Sequence, residues 1–468
     1  MSSSIQKFVD ERWDESIVPA LCEYVRIPNK SPMFDPDWEA NGHMQVAVEL
    51  LDAWCDSIEI AGMTRKIVKL PGRTPVLICE IPATAENAGT VLLYGHYDKQ
   101  PEFLGWEPGL SPWEPVIRDG KLYGRGGADD GYALFGSLTA IAALQAEGIG
   151  HGRCVVLVEG CEESGSFDLP FYMDALREEI GAPELVICLD AECGNYDQLW
   201  ITTSLRGIVP GALTVKVLEE GQHSGMSGGI VPSSFRVMRQ LMERVENAET
   251  GELLPSLYVD VPDSAIRQAE QAAQVLGPAI YEKFPWAGDT RPQTEDPTDL
   301  LINNTWRPSL ATTGLSGAPE VGDAGNTLRP ETSAQLSFRL PPTLDADEAL
   351  ATLKAELERD PPYGAQVSFD THTAQAGWAA PPMDAWLEKA VNDASVAYFA
   401  KPAMYMGCGG TIPFMKMLGD AYPGVQFMVT GVLGPKSNAH GPNEFLEIAT
   451  GKRVTACVAD VLADHARR

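Results

Sequence analysis

Four runs of apolar residues along the chain predict strands that are buried on both faces. They span residues 91–94, 154–158, 185–189 and 425–429. Near-continuous apolar runs of this length are typical of a parallel sheet that helices cover on both sides. The N-terminal segment shows helical spacing instead, with apolar residues recurring every three or four positions between residues 5 and 21. Helices that alternate with apolar strands are the pattern of a doubly wound α/β domain.

The pattern changes from about residue 204 to residue 375. Strand candidates at residues 211–217 and 334–340 alternate apolar and polar side chains, as in a sheet that exposes one face to solvent. Helix candidates with one apolar face follow them at residues 235–245 and 345–358. This segment therefore predicts a small α+β domain.

The first pattern resumes after Trp378, with a helix at residues 384–400 before the fourth apolar run. We therefore predict one discontinuous α/β domain, residues 1–203 and 376–468, that is interrupted by the smaller domain at residues 204–375. A chain of 468 residues is long enough for two domains.

The chain is strongly acidic. It has 35 basic and 65 acidic residues, for a formal net charge of −30. This charge disfavours nucleic acids and anionic membrane surfaces as partners. Most of the carboxylates are expected on a solvated surface, and only a few of them in a functional site.

Cysteine content and the N-terminus bear on the compartment. Nine cysteines are scattered without a CxxC pair, which suits reduced thiols better than a disulfide framework. The N-terminus lacks the apolar stretch of a signal peptide, and no apolar run approaches the roughly 18 to 20 residues that cross a bilayer. We expect a soluble, cytoplasmic protein that does not bind membranes.

Five residues with metal-binding side chains lie where apolar segments end or glycine-rich turns begin. They are His96, Asp129, Glu163, Asp190 and His440. In open α/β sheets, ligands bind at the carboxyl ends of the strands. Imidazoles and carboxylates that converge there are the ligand set for divalent metal ions. The sequence therefore predicts a metalloenzyme.

Five segments together resemble the M20 family of metallopeptidases, and within it the dipeptidase-like branch related to carnosinase. In chain order they are Gly95-His96-Tyr97-Asp98, Gly124-Arg125-Gly126-Gly127-Ala128-Asp129-Asp130, Glu162-Glu163-Ser164-Gly165-Ser166, Leu189-Asp190 and Asn438-Ala439-His440-Gly441-Pro442. One such segment is a weak signal, but five in the family's order are a specific one. The resemblance implies a catalytic domain with an inserted lid and dimerisation domain. It also implies that the five residues named above bind two divalent metal ions, zinc or alternatively manganese, with Asp129 as the bridge.

The segment from Gly124 to Asp130 also resembles a dinucleotide-binding loop. Asp129 occupies the place of the third glycine, where a carboxylate would repel a pyrophosphate. A metal loop therefore explains the segment better. The resemblance implies a cis peptide bond between Asp129 and Asp130. Gly131-Tyr132 departs from the Lys-Gly pair that is common in the family.

Asp98 and Glu162 are the predicted catalytic partners of the metal ligands. Residues two apart on an extended chain point the same way, so Asp98 can support the ring of His96. Adjacent side chains diverge, so one of Glu162 and Glu163 can face a metal while the other faces the substrate. By the resemblance, Glu163 is the ligand and Glu162 is the general base and acid.

The resemblance assigns further residues to the lid and the substrate. His223, in a glycine-rich segment, matches the lid histidine that contacts the substrate carbonyl, and Arg339 matches the arginine that binds the substrate carboxylate. The remaining substrate-binding candidates are Asn326, Gly409, Gly410 and Thr411. Cys408 stands where dipeptidase relatives often have glutamate. Of the other histidines, we expect His43, His151 and His465 at the surface and leave His372 unassigned.

The sequence thus predicts a di-metal hydrolase that cleaves an amide next to a free carboxylate, in the first place a dipeptidase or short-peptide exopeptidase. The alternative is an N-acyl amino acid deacylase, which needs no group for the substrate's ammonium. A catalytically inactive scaffold is disfavoured because every ligand and the base are present. The resemblance also implies a homodimer through the lid, and the apolar face of the helix at residues 235–245 is the expected contact.

Overall fold

The computed structural model describes residues 2–371 and 374–468. The strands are β1 (Thr64–Val68), β2 (Val76–Ile81), β3 (Thr90–His96), β4 (Val116–Arg118), β5 (Lys121–Tyr123), β6 (Arg153–Glu159), β7 (Pro183–Cys188), β8 (Trp200–Leu205), β9 (Gly207–Lys216), β10 (Gln222–His223), β11 (Ser309–Ser316), β12 (Thr327–Leu328), β13 (Glu331–Leu340), β14 (Gln366–Asp370), β15 (Trp378–Ala379), β16 (Met404–Cys408), β17 (Gln426–Val429) and β18 (Phe445–Glu447). The helices are α1 (Ser2–Arg12), α2 (Val18–Val25), α3 (Trp38–Asn41), α4 (His43–Trp54), α5 (Ala133–Ala146), α6 (Leu169–Ala175), α7 (Arg177–Ile180), α8 (Ser224–Ser227), α9 (Ser234–Met242), α10 (Asp263–Leu276), α11 (Ala279–Glu282), α12 (Pro297–Thr305), α13 (Ala346–Glu358), α14 (Ala385–Phe399), α15 (Pro413–Ala421) and α16 (Ile448–Arg467).

The four apolar runs form four adjacent strands, β6, β3, β7 and β17, of a six-stranded sheet with the order β1-β2-β6-β3-β7-β17. The pairs β6–β3, β3–β7 and β7–β17 are parallel, whereas β1 and β2 pair antiparallel at one edge. Successive residues of β3 point to opposite faces of the sheet and enter different cores. Leu93 packs with α5 and α16, and Leu92 packs with α6 and α15. Helices therefore cover both faces, and the predicted doubly wound α/β fold is confirmed.

A second sheet has the order β11-β13-β9-β14 and is entirely antiparallel. Buried and partly exposed residues alternate along β9 and β13, as the sequence pattern predicts. Helices α9 and α13 pack on the buried face in one hydrophobic core. The expectation that the apolar face of the helix at residues 235–245 is free for a partner is wrong. Val237, Met238, Leu241 and Val245 are buried against this sheet, and only Phe235 is substantially exposed.

A third sheet has three strands, in the order β15-β8-β16. Strand β8 precedes most of the segment 204–375, and β15 and β16 follow it. Helices α10 and α12 pack against β16 and share a core with Trp200 of β8. These helices belong to the segment 204–375 in sequence, yet they contact strands on either side of that segment. The domain boundaries at residues 203 and 376 stay a prediction.

Two histidines expected at the surface are buried. The ring of His151 lies 2.7 Å from the carbonyl oxygen of Gly152 and 3.0 Å from Gln145 Nε2, and its backbone N–H donates to Thr84 Oγ1 over 2.9 Å. His465 is buried against Trp386, because the charged C-terminal segment is one side of a core helix, α16. His43 is partly exposed, and His372 lies outside the described residues. Within residues 2–371 and 374–468, none of the helices has the length and hydropathy to cross a membrane.

Candidate metal centre

The carboxyl ends of the parallel strands bring the five predicted metal ligands to one edge of the main sheet. His96 is the last residue of β3, Glu163 lies in the turn after β6, and Asp190 follows β7 by two residues. His440 comes from the loop between β17 and β18, and Asp129 from the glycine-rich turn before α5. This convergence follows from the topology, because neighbouring parallel strands end at the same edge.

The five side chains fall into two groups that share Asp129. In the first, His96 Nε2 lies 3.2 Å from Asp129 Oδ1 and 3.7 Å from Asp190 Oδ2. In the second, His440 Nε2 lies 3.0 Å from Asp129 Oδ2 and 3.3 Å from Glu163 Oε2. The ligand atoms of each group all lie within 4.8 Å of one another. The two oxygens of Asp129 thus face different groups, which is the geometry of a bridging carboxylate.

The backbone around Asp129 places its carboxylate at the centre. The Asp129–Asp130 peptide bond is cis, as the resemblance implies. Asp130 turns the other way, and its Oδ2 accepts a hydrogen bond of 3.3 Å from the backbone N–H of His96. Gly95 has no space for a side chain, since a Cβ there would lie 2.8 Å from Asp130 Oδ2. The turn therefore packs directly against the end of β3.

The charges of this cluster suit divalent cations. Burial, and then the charge of Asp129, raises the pKa of the Glu163 carboxyl to about 8, and the same two causes raise that of Asp190 to about 6. Desolvation by itself lowers the pKa of His440, but the carboxylates of Glu163 and Asp129 raise it to about 10. The buried acids repel one another and attract positive charge. Two histidine nitrogens with three carboxylates are also donors that zinc and manganese accept, so the residues fit a pair of such ions.

Asp98 connects the end of β3 to the turn that carries Glu162 and Glu163. Its Oδ1 lies 3.4 Å from His96 Nδ1, and its backbone oxygen lies 3.2 Å from the same nitrogen. Its two carboxylate oxygens also accept hydrogen bonds of 3.0 Å from the backbone N–H groups of Glu162 and Glu163. The residue therefore orients one predicted ligand through its ring and a second through its backbone.

The Glu162 carboxylate is held near the cluster without a fixed partner. Within the described part of the chain it accepts no hydrogen bond, whereas Glu163 Oε2 accepts one of 2.6 Å from Gln100 Nε2. Burial raises the pKa of Glu162 well above its ordinary value, and the neighbouring acids Asp190 and Glu163 add to this effect. A carboxyl group with these properties can accept a proton and later release it.

A buried ion pair fixes the loop of His440. Arg125 donates to the Glu444 carboxylate and, over 2.7 Å, to the carbonyl oxygen of Gly441. The other oxygen of Glu444 accepts a hydrogen bond of 2.9 Å from the backbone N–H of Gly126. The loop of His440 is thus tied to the turn of Asp129. We did not predict these roles, although both residues lie in or beside the predicted motifs.

Two of the predicted substrate residues make no hydrogen bond or ion pair with the five metal ligands in the described part of the chain. His223 and Asn326 lie side by side on the lid, where β10 pairs with β12 and the Ser224 N–H donates to the backbone carbonyl oxygen of Asn326 over 2.8 Å. Both residues are exposed. His223 Nδ1 accepts a hydrogen bond of 3.1 Å from the Gly225 N–H, so in the neutral ring Nε2 carries the proton and can donate.

The other substrate residues form one group. Arg339 Nη1 donates to Thr411 Oγ1 over 3.1 Å, and the Thr411 hydroxyl donates to the carbonyl oxygen of Arg206. Arg206 Nε in turn donates to the carbonyl oxygen of Gly409 over 3.2 Å, and the Gly410 N–H donates to Cys408 Sγ over 3.3 Å. Arg206 was not predicted. The only signal for it is a lone basic residue between two apolar strands.

The chain is similar to known dipeptidases along most of its length. The cysteinylglycine-S-conjugate dipeptidase of Corynebacterium striatum is 26% identical over 395 residues, which cover 81% of this chain and 82% of the relative. The Beta-Ala-His dipeptidase of Homo sapiens is 25% identical over 372 residues, which cover 75% of this chain and 70% of the relative. These names favour the predicted dipeptidase over the N-acyl amino acid deacylase.

The fold and the family agree with these similarities. The solved structure of the di-peptidase Dug1p from Saccharomyces cerevisiae superposes with a TM-score of 0.80 at 20% identity, covering 100% of this chain and 99% of that one. The model of the family described as "Peptidase family M20/M25/M40" matches residues 92–464, a range that contains all five predicted ligands. The chain belongs to peptidase family M20/M25/M40.

Proposed function

We propose that the protein is a metal-dependent dipeptidase with a two-ion centre. His96 and Asp190 would hold one ion, Glu163 and His440 would hold the other, and Asp129 would serve both. The observation that carries this proposal is the position of Asp129, whose two oxygens lie 3.2 and 3.0 Å from the two histidine nitrogens. Zinc is our first choice because it binds mixed histidine and carboxylate sites, and manganese is the second.

The metal ions, when bound, supply Lewis-acid polarisation of the scissile carbonyl and positive charge for the oxyanion that develops there. Glu162 supplies the proton transfers. Its free carboxylate takes a proton from the attacking water and later delivers it to the nitrogen of the departing amine. Asp98 holds the Glu162–Glu163 turn in place during these steps through its two hydrogen bonds to the backbone.

Arg339 binds the carboxylate of the substrate and thereby selects a peptide with a free C-terminus beside the scissile bond. A guanidinium presents paired donors that match the two oxygens of a carboxylate. Thr411 fixes the guanidinium through Nη1, and Gly409 and Gly410 leave the neighbouring loop free of side chains. His223 contacts the substrate that is bound to a partner subunit, and Asn326 lies beside His223 on the lid.

We infer further that the protein is a homodimer and that the lid forms the contact. The lid exposes large apolar side chains, namely Met226, Ile230, Phe235, Leu315 and Val321. Strand β11 is an edge of the four-stranded sheet, and its residues from Ala311 onward are exposed. An open strand edge with apolar side chains favours pairing with a second chain.

The test of the activity is a panel of neutral dipeptides and of N-acetyl amino acids with the same C-terminal residue. We expect hydrolysis of the dipeptides, loss of activity after chelation, and recovery with zinc or manganese. Metal analysis should give two ions per chain. Turnover of the N-acetyl compounds alone would establish the deacylase instead. Binding of metal without turnover of either class would contradict both enzymes.

A further inference from the structure

Two arginines from different parts of the chain contact the same loop, residues 409–411. Arg206 is the single residue between β8 and β9, and it is 6% exposed. Arg339 is the second-last residue of β13 and is partly buried. Arg206 donates to the carbonyl oxygen of Gly409 and Arg339 to the hydroxyl of Thr411, so the two guanidinium groups contact the loop two residues apart.

The guanidinium of Arg206 is held rigidly and retains a free end. Its Nη1 donates to Ser309 Oγ over 3.0 Å and to the carbonyl oxygen of Arg307 over 3.4 Å. Its Nε donates to the carbonyl oxygen of Gly409. Nη2 has no hydrogen-bond partner among the described residues. A Cβ built on Gly409 would lie 2.8 Å from Asn304 Nδ2 and 3.2 Å from Nη2, so a side chain at this position would crowd both groups.

Neither guanidinium has a carboxylate partner. In residues 2–371 and 374–468, no acidic side chain lies within 4 Å of Arg206 or Arg339, although the chain has 65 acidic residues against 35 basic ones. Burial, and next the charge of Arg339, lowers the pKa of Arg206 to about 10, and the more distant Glu192 opposes this only in part. Buried cations without a counter-charge are costly and favour an anionic ligand.

We propose that Arg206 and Arg339 bind the two carboxylates of a C-terminal aspartate or glutamate, so that the enzyme prefers dipeptides with an acidic C-terminal residue. This inference rests on the proposed dipeptidase activity and specifies its substrate. Arg339 takes the α-carboxylate, and Arg206 Nη2 takes the side-chain carboxylate.

Pairs of substrates that differ in charge but not in shape test this proposal. The ratio of kcat/KM for Gly-Asp over Gly-Asn, and for Gly-Glu over Gly-Gln, should be about 10 to 100 in the native enzyme, the effect of one charge-assisted hydrogen bond. In Arg206→Gln the ratio should fall to near 1. Free aspartate should likewise inhibit the native enzyme more strongly than asparagine, and this difference should vanish in the variant.

A second pair of variants keeps Arg206 in place. Cys408 is buried, and its Sγ accepts a hydrogen bond of 3.3 Å from the Gly410 N–H in the loop that both arginines contact. Cys408→Glu adds a carboxylate that competes with the substrate, and Cys408→Gln is the matched control of equal size. We expect Cys408→Glu to lower the acid-to-amide ratio at least tenfold relative to Cys408→Gln. Thermal melting of both variants establishes that they are folded.

The outcomes separate this inference from the proposed function. Turnover of Gly-Asn and Gly-Gln by the native enzyme with a ratio near 1 would overturn the acidic preference and leave the dipeptidase intact. That result would mean that both guanidinium groups act on one carboxylate. If none of the four substrates is hydrolysed, the dipeptidase activity is contradicted, and so is the inference that rests on it. A ratio that is high but equal in Cys408→Glu and Cys408→Gln would also overturn the role of Arg206 and Arg339.

Discussion

Asp98 positions Glu163 through the backbone rather than through the metal. Its Oδ2 accepts a hydrogen bond of 3.0 Å from the Glu163 N–H, while Oδ1 faces the ring of His96 and the N–H of Glu162. One buried carboxylate thus sets the relative positions of a predicted ligand on β3 and of the acidic pair after β6. Groups that support ligands in this way contribute about 10- to 100-fold to metal affinity.

This relationship predicts an order of effects for two alanine variants. Asp98→Ala should weaken metal binding by about 10- to 100-fold. Asp129→Ala should be more severe and should lower the affinity for both ions, because each of its oxygens serves one group. Calorimetric titration of the metal-free variants with zinc measures the dissociation constants of the two ions. Equal losses in the two variants would contradict the bridging role of Asp129.

The adjacent acids should separate in function. Glu162→Gln should keep two metal ions, because the side chain is not a predicted ligand, while kcat falls by about 10²- to 10⁴-fold. Glu163→Gln is the matched variant and should lose one ion. Metal analysis and steady-state kinetics on the same preparations test both statements. Loss of metal from Glu162→Gln would show that the roles within the pair are reversed.

The main sheet could be predicted because its strands are buried on both faces. Leu92 and Leu93 enter different cores, so the sequence is apolar without interruption and the pattern is strong. The packing of α10 and α12 against β16 could not be predicted, since these contacts join segments that are 99 to 145 residues apart in the chain. The α9 pattern correctly indicates a buried face, but it does not say whether the covering surface belongs to the same chain.

The candidate site was predictable where residues form local motifs and was missed where they do not. Metal-binding side chains at strand ends have a recognisable spacing, and the structure brings all five together. Arg206 belongs to no motif, and its proximity to Gly409 depends on the tertiary fold. Burial of His151 and His465 was missed for the same reason, because polar neighbours in sequence concealed contacts that are distant in the chain.

The buried ion pair of Arg125 and Glu444 should be important for stability. Glu444→Gln leaves the guanidinium without a counter-charge in a buried position, at a cost of about 3–5 kcal/mol. The double variant Arg125→Met/Glu444→Met removes both charges and should recover most of this loss. Urea unfolding of the metal-free proteins avoids a contribution from the ions. A double variant that is less stable than Glu444→Gln would contradict this explanation.

Glu159 should make stability depend on pH. Burial raises the pKa of its carboxyl to about 8, although Tyr94 and Ser166 donate hydrogen bonds of 2.7 and 2.8 Å to Oε1. The carboxyl of an unfolded chain titrates near about 4.3. Between these values the unfolded chain loses the proton while the folded protein retains it, so stability falls as pH rises, by about 1.4 kcal/mol per unit.

Glu159→Gln removes this dependence and leaves the other buried acids unchanged. We therefore expect the free energy of unfolding of the variant to rise relative to that of the native protein between pH 5 and pH 8. Unfolding midpoints of the two metal-free proteins at pH 5, 6.5 and 8 measure the difference, in which the titration of Glu163 and Asp190 cancels. A difference that is constant with pH would show that Glu159 is ionised in the folded protein.

His223 should act on the site of the partner subunit if the lid forms the dimer. The residue is exposed, and its free Nε2 can donate to the oxyanion, a contribution of about 3 kcal/mol in comparable sites. His223→Ala and Glu162→Gln should each be nearly inactive alone. In a mixed dimer, one site receives the intact histidine and the intact glutamate, so co-expression should restore activity.

Restoration is impossible if His223 serves its own subunit, because every site of the mixed dimer then lacks one group. Differently tagged chains allow the heterodimer to be purified, and an inactive heterodimer would show that His223 does not cross the interface.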